Sequence, residues 1–186
     1  MRLETERNIV HLALGSLIAA GVAYYGRETS FLVLSALLIL GGLLQRLEKA
    51  GKKIPVIDWF LDRMERKGVS PGAGTISFFI GAWATVLLFD SYTAFVSILI
   101  LAFLDSFSTI VGMAFPLHYI RKNKTLEGTL AGFLAAWIVS SLFLPYWLTF
   151  PACFTSAIVE LYTPVDDNIV LPPVSAGVIT LTRILF

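Results

Sequence analysis

Apolar residues in this chain gather into long runs separated by short polar breaks. Runs of about 17 to 25 such residues suit helices that cross a bilayer. By that measure the pattern predicts helices at roughly 9–25, 30–45, 75–90, 93–115, 129–147, 149–162 and 169–185. The sixth is short enough to be re-entrant. Between the second and third runs the pattern changes. After Pro55, the residues Ile57, Phe60, Leu61 and Met64 recur at helical spacing, while Asp58, Asp62, Glu65 and Arg66 take other faces. This predicts an amphipathic helix lying on the membrane surface. The glycines of Ser70-Pro71-Gly72-Ala73-Gly74-Thr75 then let the backbone turn into the third run, or bring its amides against a phosphate. The expected fold is all-α: a polytopic transmembrane bundle of about six or seven helices plus the interfacial helix, in a single domain over 1–186.

Composition sharpens this reading. Of 186 residues, 56% are hydrophobic and only 15% charged, too apolar for an ordinary soluble domain. A net charge of +1 gives no reason to invoke nucleic acid. The lone Cys153 excludes an internal disulfide. No small-residue cleavage motif follows the first apolar run, so that run is expected to be retained.

Charge sets the expected orientation. If the predicted spans alternate, twelve of the fourteen Lys and Arg fall on one side, and only Arg27 and Arg183 lie toward the other. The positive-inside rule makes the basic side, and the N-terminus with it, cytoplasmic. Tyr24, Tyr25, Tyr92, Tyr146 and Trp147 fall at the opposite boundary, as an aromatic belt does.

Candidate chemistry centres on 105–132. Asp105, Ser108, Thr109 and Gly112 stand at i, i+3, i+4 and i+7, which makes one helix face polar or bare. A carboxylate near the middle of a span costs about 2.5–3.5 kcal/mol on insertion scales, so Asp105 is read as a metal ligand or general base. Just beyond, Lys124, Thr125, Glu127 and Gly128 suit a phosphate held beside a helix N-terminus. Gly128 and Gly132 also form a G-x-x-x-G step, the alternative being close helix packing. Arg121 and Lys122 read more simply as topology-setting charge. Glu160, Asp166, Asp167 and Asn168 form a hard-oxygen set for Mg²⁺, with helix capping as the rival role for the last three. His11, just inside the first span, is a further candidate for lining the site.

Three ordered elements carry a resemblance: DSFSTIVG at 105–112, KTLEG at 124–128, and a stretch from Glu160 through Asp166-Asp167-Asn168, all preceded by ERNIVHLALG near the start. The chain resembles the CTP-dependent polyprenol kinase family, which includes dolichol kinase, phytol kinase and the CTP-dependent diacylglycerol kinase. The resemblance implies an all-helical membrane kinase that uses Mg²⁺ to move the γ-phosphate of CTP onto a lipid alcohol, dolichol or another polyprenol foremost. It implies roles for Asp105 and Gly112; for Lys124, Thr125, Glu127 and Gly128; and for Glu160, Asp166, Asp167 and Asn168. Asn8 after Arg7 departs from the basic pair that family members often carry there. Two rivals stand beside this reading: a CTP-using cytidylyltransferase that makes a CDP-lipid, and a small transporter with acids in its spans.

Overall fold

The computed structural model describes residues 2–50, 72–121 and 124–186. The expected interfacial helix at 55–67 and the basic residue Lys122 lie outside these. The described chain is helical almost throughout, with α1 (Arg2–Lys49), α2 (Ala73–Leu88), α3 (Ser91–Ala114), α4 (Leu126–Ser141), α5 (Tyr146–Tyr162) and α6 (Asp167–Leu185). Three of them, α1, α3 and α6, are long and apolar enough to cross a membrane. The structure also departs from a purely helical fold. Residues read as a basic loop form a small antiparallel pair, β1 (Tyr119–Arg121) and β2 (Lys124–Thr125), with Tyr119 opposite Thr125 and Arg121 opposite Lys124.

The first two predicted helices are the two arms of α1, joined at one non-helical residue. Gly26 has φ 76° and ψ −179°, a backbone conformation that costs glycine nothing and strains other residues. The arms run in opposite directions along α2. Gly15 of the first arm faces Phe78, Arg27 at the break donates to the carbonyls of Val86 and Leu87, and Gly41 of the second arm returns to Ile76. On the way back Phe31 packs on Trp83, whose indole N–H donates to Ser35 Oγ at 2.9 Å.

Helix starts follow from capping residues. Asp90 accepts from the amides of Tyr92 and Thr93, Thr125 from Gly128, and Asp166 from Asn168. The first turn of α2, after Gly72, has no side-chain cap. At the centre lies α3, with Ile98, Ile100, Leu101 and Leu104 wholly buried. Against it α4 packs closely enough that a Cβ on Gly132 would lie 2.5 Å from the Leu104 carbonyl oxygen. The small-residue step therefore serves a helix crossing. Gly81, which carried no signal in the sequence, plays a similar part: a Cβ there would collide with the Asn168 backbone at the start of α6.

The short segment read as a re-entrant candidate does not turn back. α5 starts near Phe143, whose carbonyl takes a hydrogen bond from Tyr92, and ends beside α3 where Glu160 meets Ser108. Chain direction thus alternates from α2 to α6. One end of the bundle collects the start of α1, the N-termini of α2, α4 and α6, and the C-terminal parts of α3 and α5. The other end holds Arg27 near Leu87 and Arg183 3.7 Å from Asp90, with Tyr24, Tyr25, Tyr92 and Tyr146 exposed.

Candidate functional site

At the first of these ends a cavity of about 1060 Å³ opens among α1, α2, α3, β2, α5 and α6. Its polar wall descends from the i, i+3, i+4, i+7 face of α3, since Asp105, Ser108, Thr109 and Gly112 all line it. Beside it, His11, Leu14 and Ile18 from α1 with Phe78 and Phe79 from α2 give an apolar flank around one imidazole. Thr163 to Asp166, between α5 and α6, and Asp167 and Asn168 at the start of α6 complete the lining.

Glu160 is the buried centre of the polar wall. Its side chain has no exposed surface, and one oxygen, Oε1, accepts from Ser108 Oγ at 2.6 Å and from the Lys124 ammonium. The other oxygen, Oε2, is buried with no hydrogen-bond partner. Asp167 Oδ2 stands 3.6 Å from Lys124 Nζ, and oxygens of Asp105, Glu160 and Asp167 all lie within 4.8 Å of one another. Residues 105, 124, 160 and 167 come from four different elements, so this cluster is a product of the fold.

Charge explains the state of Lys124. Burial works against its ammonium, but Glu160 foremost, then Asp167, outweigh that penalty and hold the amine above its ordinary range. His11 Nε2 lies 3.6 Å from Asp105 Oδ2, with the ring edge-on to Phe78 at 5.2 Å between centroids. Polar Asn8, itself buried, lines the cavity one turn before His11, and its carbonyl accepts from Ser106 Oγ of α3 at 3.1 Å. Asn8 was missed as a site residue although a signal existed. Asn8, His11 and Gly15 repeat the i, i+3, i+7 spacing of Asp105, Ser108 and Gly112.

Other predicted residues sit elsewhere or do something else. Glu127 turns to His118, whose Nδ1 is 2.6 Å from Oε1 and whose backbone amide donates to Oε2 at 3.2 Å. The His118 hydrogen bond, above the other contributions, holds the Glu127 carboxyl below its usual range. It fastens the 115–121 segment to the start of α4 and is not among the cavity-lining residues, so its carboxylate serves His118 and neither the phosphate group of residues around Lys124 nor the three-carboxylate cluster. Thr125 is the buried N-cap of α4 and lines the cavity. Gly112 also lines it, its Cα facing Thr125 Oγ1, whereas Gly128 is taken up by close packing on Ser108 and Gly112 and is absent from the lining. Asp166 faces the cavity rim but caps α6, and it does not join the three-carboxylate group. Asn168 lines the cavity with its Oδ1 buried and unpartnered. Arg121 donates to the carbonyls of Leu161 and Tyr162, closing the C-terminus of α5.

Chemically, the cavity offers a carboxylate beside an imidazole, hard oxygen donors, one ammonium, and helix N-termini whose partial positive charge favours anions. The uncapped first turn of α2 contributes Ala73, Gly74 and Thr75 to the lining.

No protein-family model matches the chain, and no solved structure does. The CTP-dependent diacylglycerol kinase 1 of Schizosaccharomyces pombe is 30% identical over 124 residues, which cover 55% of this chain and 57% of the kinase. An uncharacterized protein of Methanocaldococcus jannaschii is 32% identical over 182 residues, covering 95% of this chain and 92% of that protein. Similar along nearly its whole length to the archaeal protein and over about half of it to a CTP-dependent kinase, the chain belongs to the family of the M. jannaschii protein.

Proposed function

We propose that this protein is an integral-membrane, CTP-dependent lipid kinase whose cavity faces the cytoplasm. The observation that carries the reading is the convergence of Asp105, Glu160, Asp167 and Lys124 on one cavity with a polar wall and an apolar flank. The partial likeness to a CTP-dependent diacylglycerol kinase supports the donor and the reaction class. The basic residues Arg7, Arg46, Arg121 and Lys124 on the cavity side support the orientation.

A bilayer site follows from the substrate's chemistry. Each buried CH₂ is worth about 0.8 kcal/mol, so an alcohol with ten of them gives up roughly 8 kcal/mol on leaving for water. The tail stays among the apolar flank residues, and only the hydroxyl reaches Asp105. Asp105, next to His11, takes the hydroxyl proton as the oxygen attacks the γ-phosphorus of CTP. The bond to the β-phosphate bridging oxygen breaks, and CDP leaves. Lys124 and the uncapped first turn of α2 hold the phosphates. The carboxylates fit Mg²⁺: three hard-oxygen donors converge, and the buried Glu160 Oε2 lacks a partner. Asp105, Glu160 and Asp167 would hold that ion, which supplies charge neutralisation to the transferring phosphoryl group. The acceptor we put first is a polyprenol such as dolichol; diacylglycerol is second, favoured by the kinase match.

Purified protein is incubated with CTP and a panel of lipid alcohols. Label placed on the γ-phosphate is expected in the lipid, with CDP as product; Asp105→Asn should lower transfer by about 100-fold or more. Label entering lipid only from the α-phosphate, with pyrophosphate released, replaces the kinase with a cytidylyltransferase. No lipid labelling with any alcohol, alongside solute uptake into sealed vesicles, replaces it with a transporter.

A further inference from the structure

The position of Lys124 is unusual for a phosphate-binding lysine, because its amine is already engaged. It donates to Glu160 Oε1 and stands 3.6 Å from Asp167 Oδ2, at the place where the three carboxylates converge. We propose that the Lys124 ammonium is the resident counter-cation of a divalent-metal site made by Asp105, Glu160 and Asp167, and that a metal ion enters only by displacing it. The proposal rests on the divalent-cation reading of these carboxylates, and not on the identity of nucleotide or acceptor.

Two observations beyond the acidic cluster support this. First, one ammonium does not satisfy the set. Glu160 Oε2, on a side chain with no exposed surface, is left without any donor. A buried carboxylate oxygen in that state is costly, and a divalent ion with six or more oxygen ligands uses what an amine leaves idle. Second, the amine is built to leave. Lys124 sits on the two-residue strand β2, its side chain is 30% exposed while that of Glu160 is fully covered, and its flexible four-carbon stem reaches into the cavity.

The exchange has a direction. With no anion in the cavity, a metal ion that displaces Lys124 strands the ammonium in a partly buried place. A triphosphate offers the released amine new partners among its oxygens. Metal therefore binds more weakly without triphosphate than with it, and high metal concentration is needed to drive the exchange in the nucleotide-free protein.

The test measures Mn²⁺ binding by electron paramagnetic resonance on the full chain in detergent, with no nucleotide present. Lys124→Met removes the charge at similar length, and Lys124→Arg keeps it. Removing a positive charge adjacent to the ion should tighten Mn²⁺ binding by roughly tenfold or more in Lys124→Met and leave it near wild type in Lys124→Arg. Equal Mn²⁺ affinity in Lys124→Met and wild type overturns the proposal. A second measurement needs no variant: acylation of wild-type Lys124, followed by peptide mass spectrometry, should speed several-fold in saturating Mg²⁺ as the amine comes away from Glu160. An unchanged rate overturns the exchange even if Lys124→Met does not fold. Neither readout needs phosphoryl transfer. A protein that passes both tests yet labels no lipid keeps the exchange and loses the kinase; an active kinase that fails them loses only the exchange.

Discussion

Glu160→Gln isolates the charge at the centre of the cavity. The amide keeps an oxygen for Ser108 and Lys124 to donate to, so shape and hydrogen bonding survive and the negative charge goes. Two unit charges about 4 Å apart attract by about 4 kcal/mol at an effective dielectric of 20. Two features of the structure reduce the net loss. Lys124 keeps Asp167 at 3.6 Å, and burying a neutral amide costs less than burying a carboxylate with no exposed surface. We expect a destabilisation of about 2 kcal/mol, which lowers the melting temperature of a chain this size by roughly 4–8 °C. Glu160→Ala also removes the acceptor for Ser108 and should cost about 3–5 kcal/mol, the range for breaking a buried pair. Thermal unfolding in detergent, followed by tryptophan fluorescence, reads both. Phosphoryl transfer by Glu160→Gln should fall by about 100-fold or more, as expected when a preorganised charge is lost from the site. A Glu160→Gln protein that melts and transfers phosphate like wild type would refute the reasoning, because the buried pair would then serve neither fold nor chemistry.

Other outcomes follow from the same geometry. Gly132→Val forces α4 off the Leu104 carbonyl, and should destabilise by about 3 kcal/mol, visible as lost folded yield and a lower melting temperature. Asp90→Ala removes the cap of α3 far from the cavity; a loss of about 1 kcal/mol in stability with unchanged nucleotide affinity, measured by calorimetry, is expected. Burial alone would raise the Asp90 carboxyl, but hydrogen bonds from Thr93 and the charge of Arg183 together hold it below the ordinary range of an aspartate. Its stabilising contribution is therefore complete above the range where an unfolded aspartate titrates and lost as pH falls through the lower folded one, so acid unfolding curves of Asp90→Asn and wild type should converge at the acid end. Glu127→Gln loosens the His118 contact and should change transfer less than tenfold in the lipid-labelling assay, in contrast to Asp105→Asn.

Much of the site was legible because helical periodicity survives into three dimensions. The spacing of Asp105, Ser108, Thr109 and Gly112 fixed one face, and the structure lines the cavity with that face. Cys153, Ser156 and Glu160 stand at i, i+3 and i+7, so they too share one helix face, and all three are buried. The pairing of Lys124 with Glu160 was not, because 36 residues separate them and only the antiparallel path of α4 and α5 closes the gap. Sequence proximity is a poor guide at Glu127: three residues from Lys124, it bonds His118, while the lysine on β2 reaches Glu160 in the cavity. Asp166 and Asp167 are adjacent in sequence yet split between capping and the carboxylate group.

Gly26 decides where His11 ends up. Were the two arms of α1 one straight rod, 48 residues would extend about 72 Å, more than twice the hydrocarbon thickness. The reversal makes the opening 49 residues a round trip. Departure and arrival share a level, so the imidazole that lies beside Asp105 and the chain that goes on to α2 meet at the same rim. A missing side chain at position 26 thus lets both arms of one helix flank α2, so that α1 brings a side chain to the chamber and still ends near the level where it began.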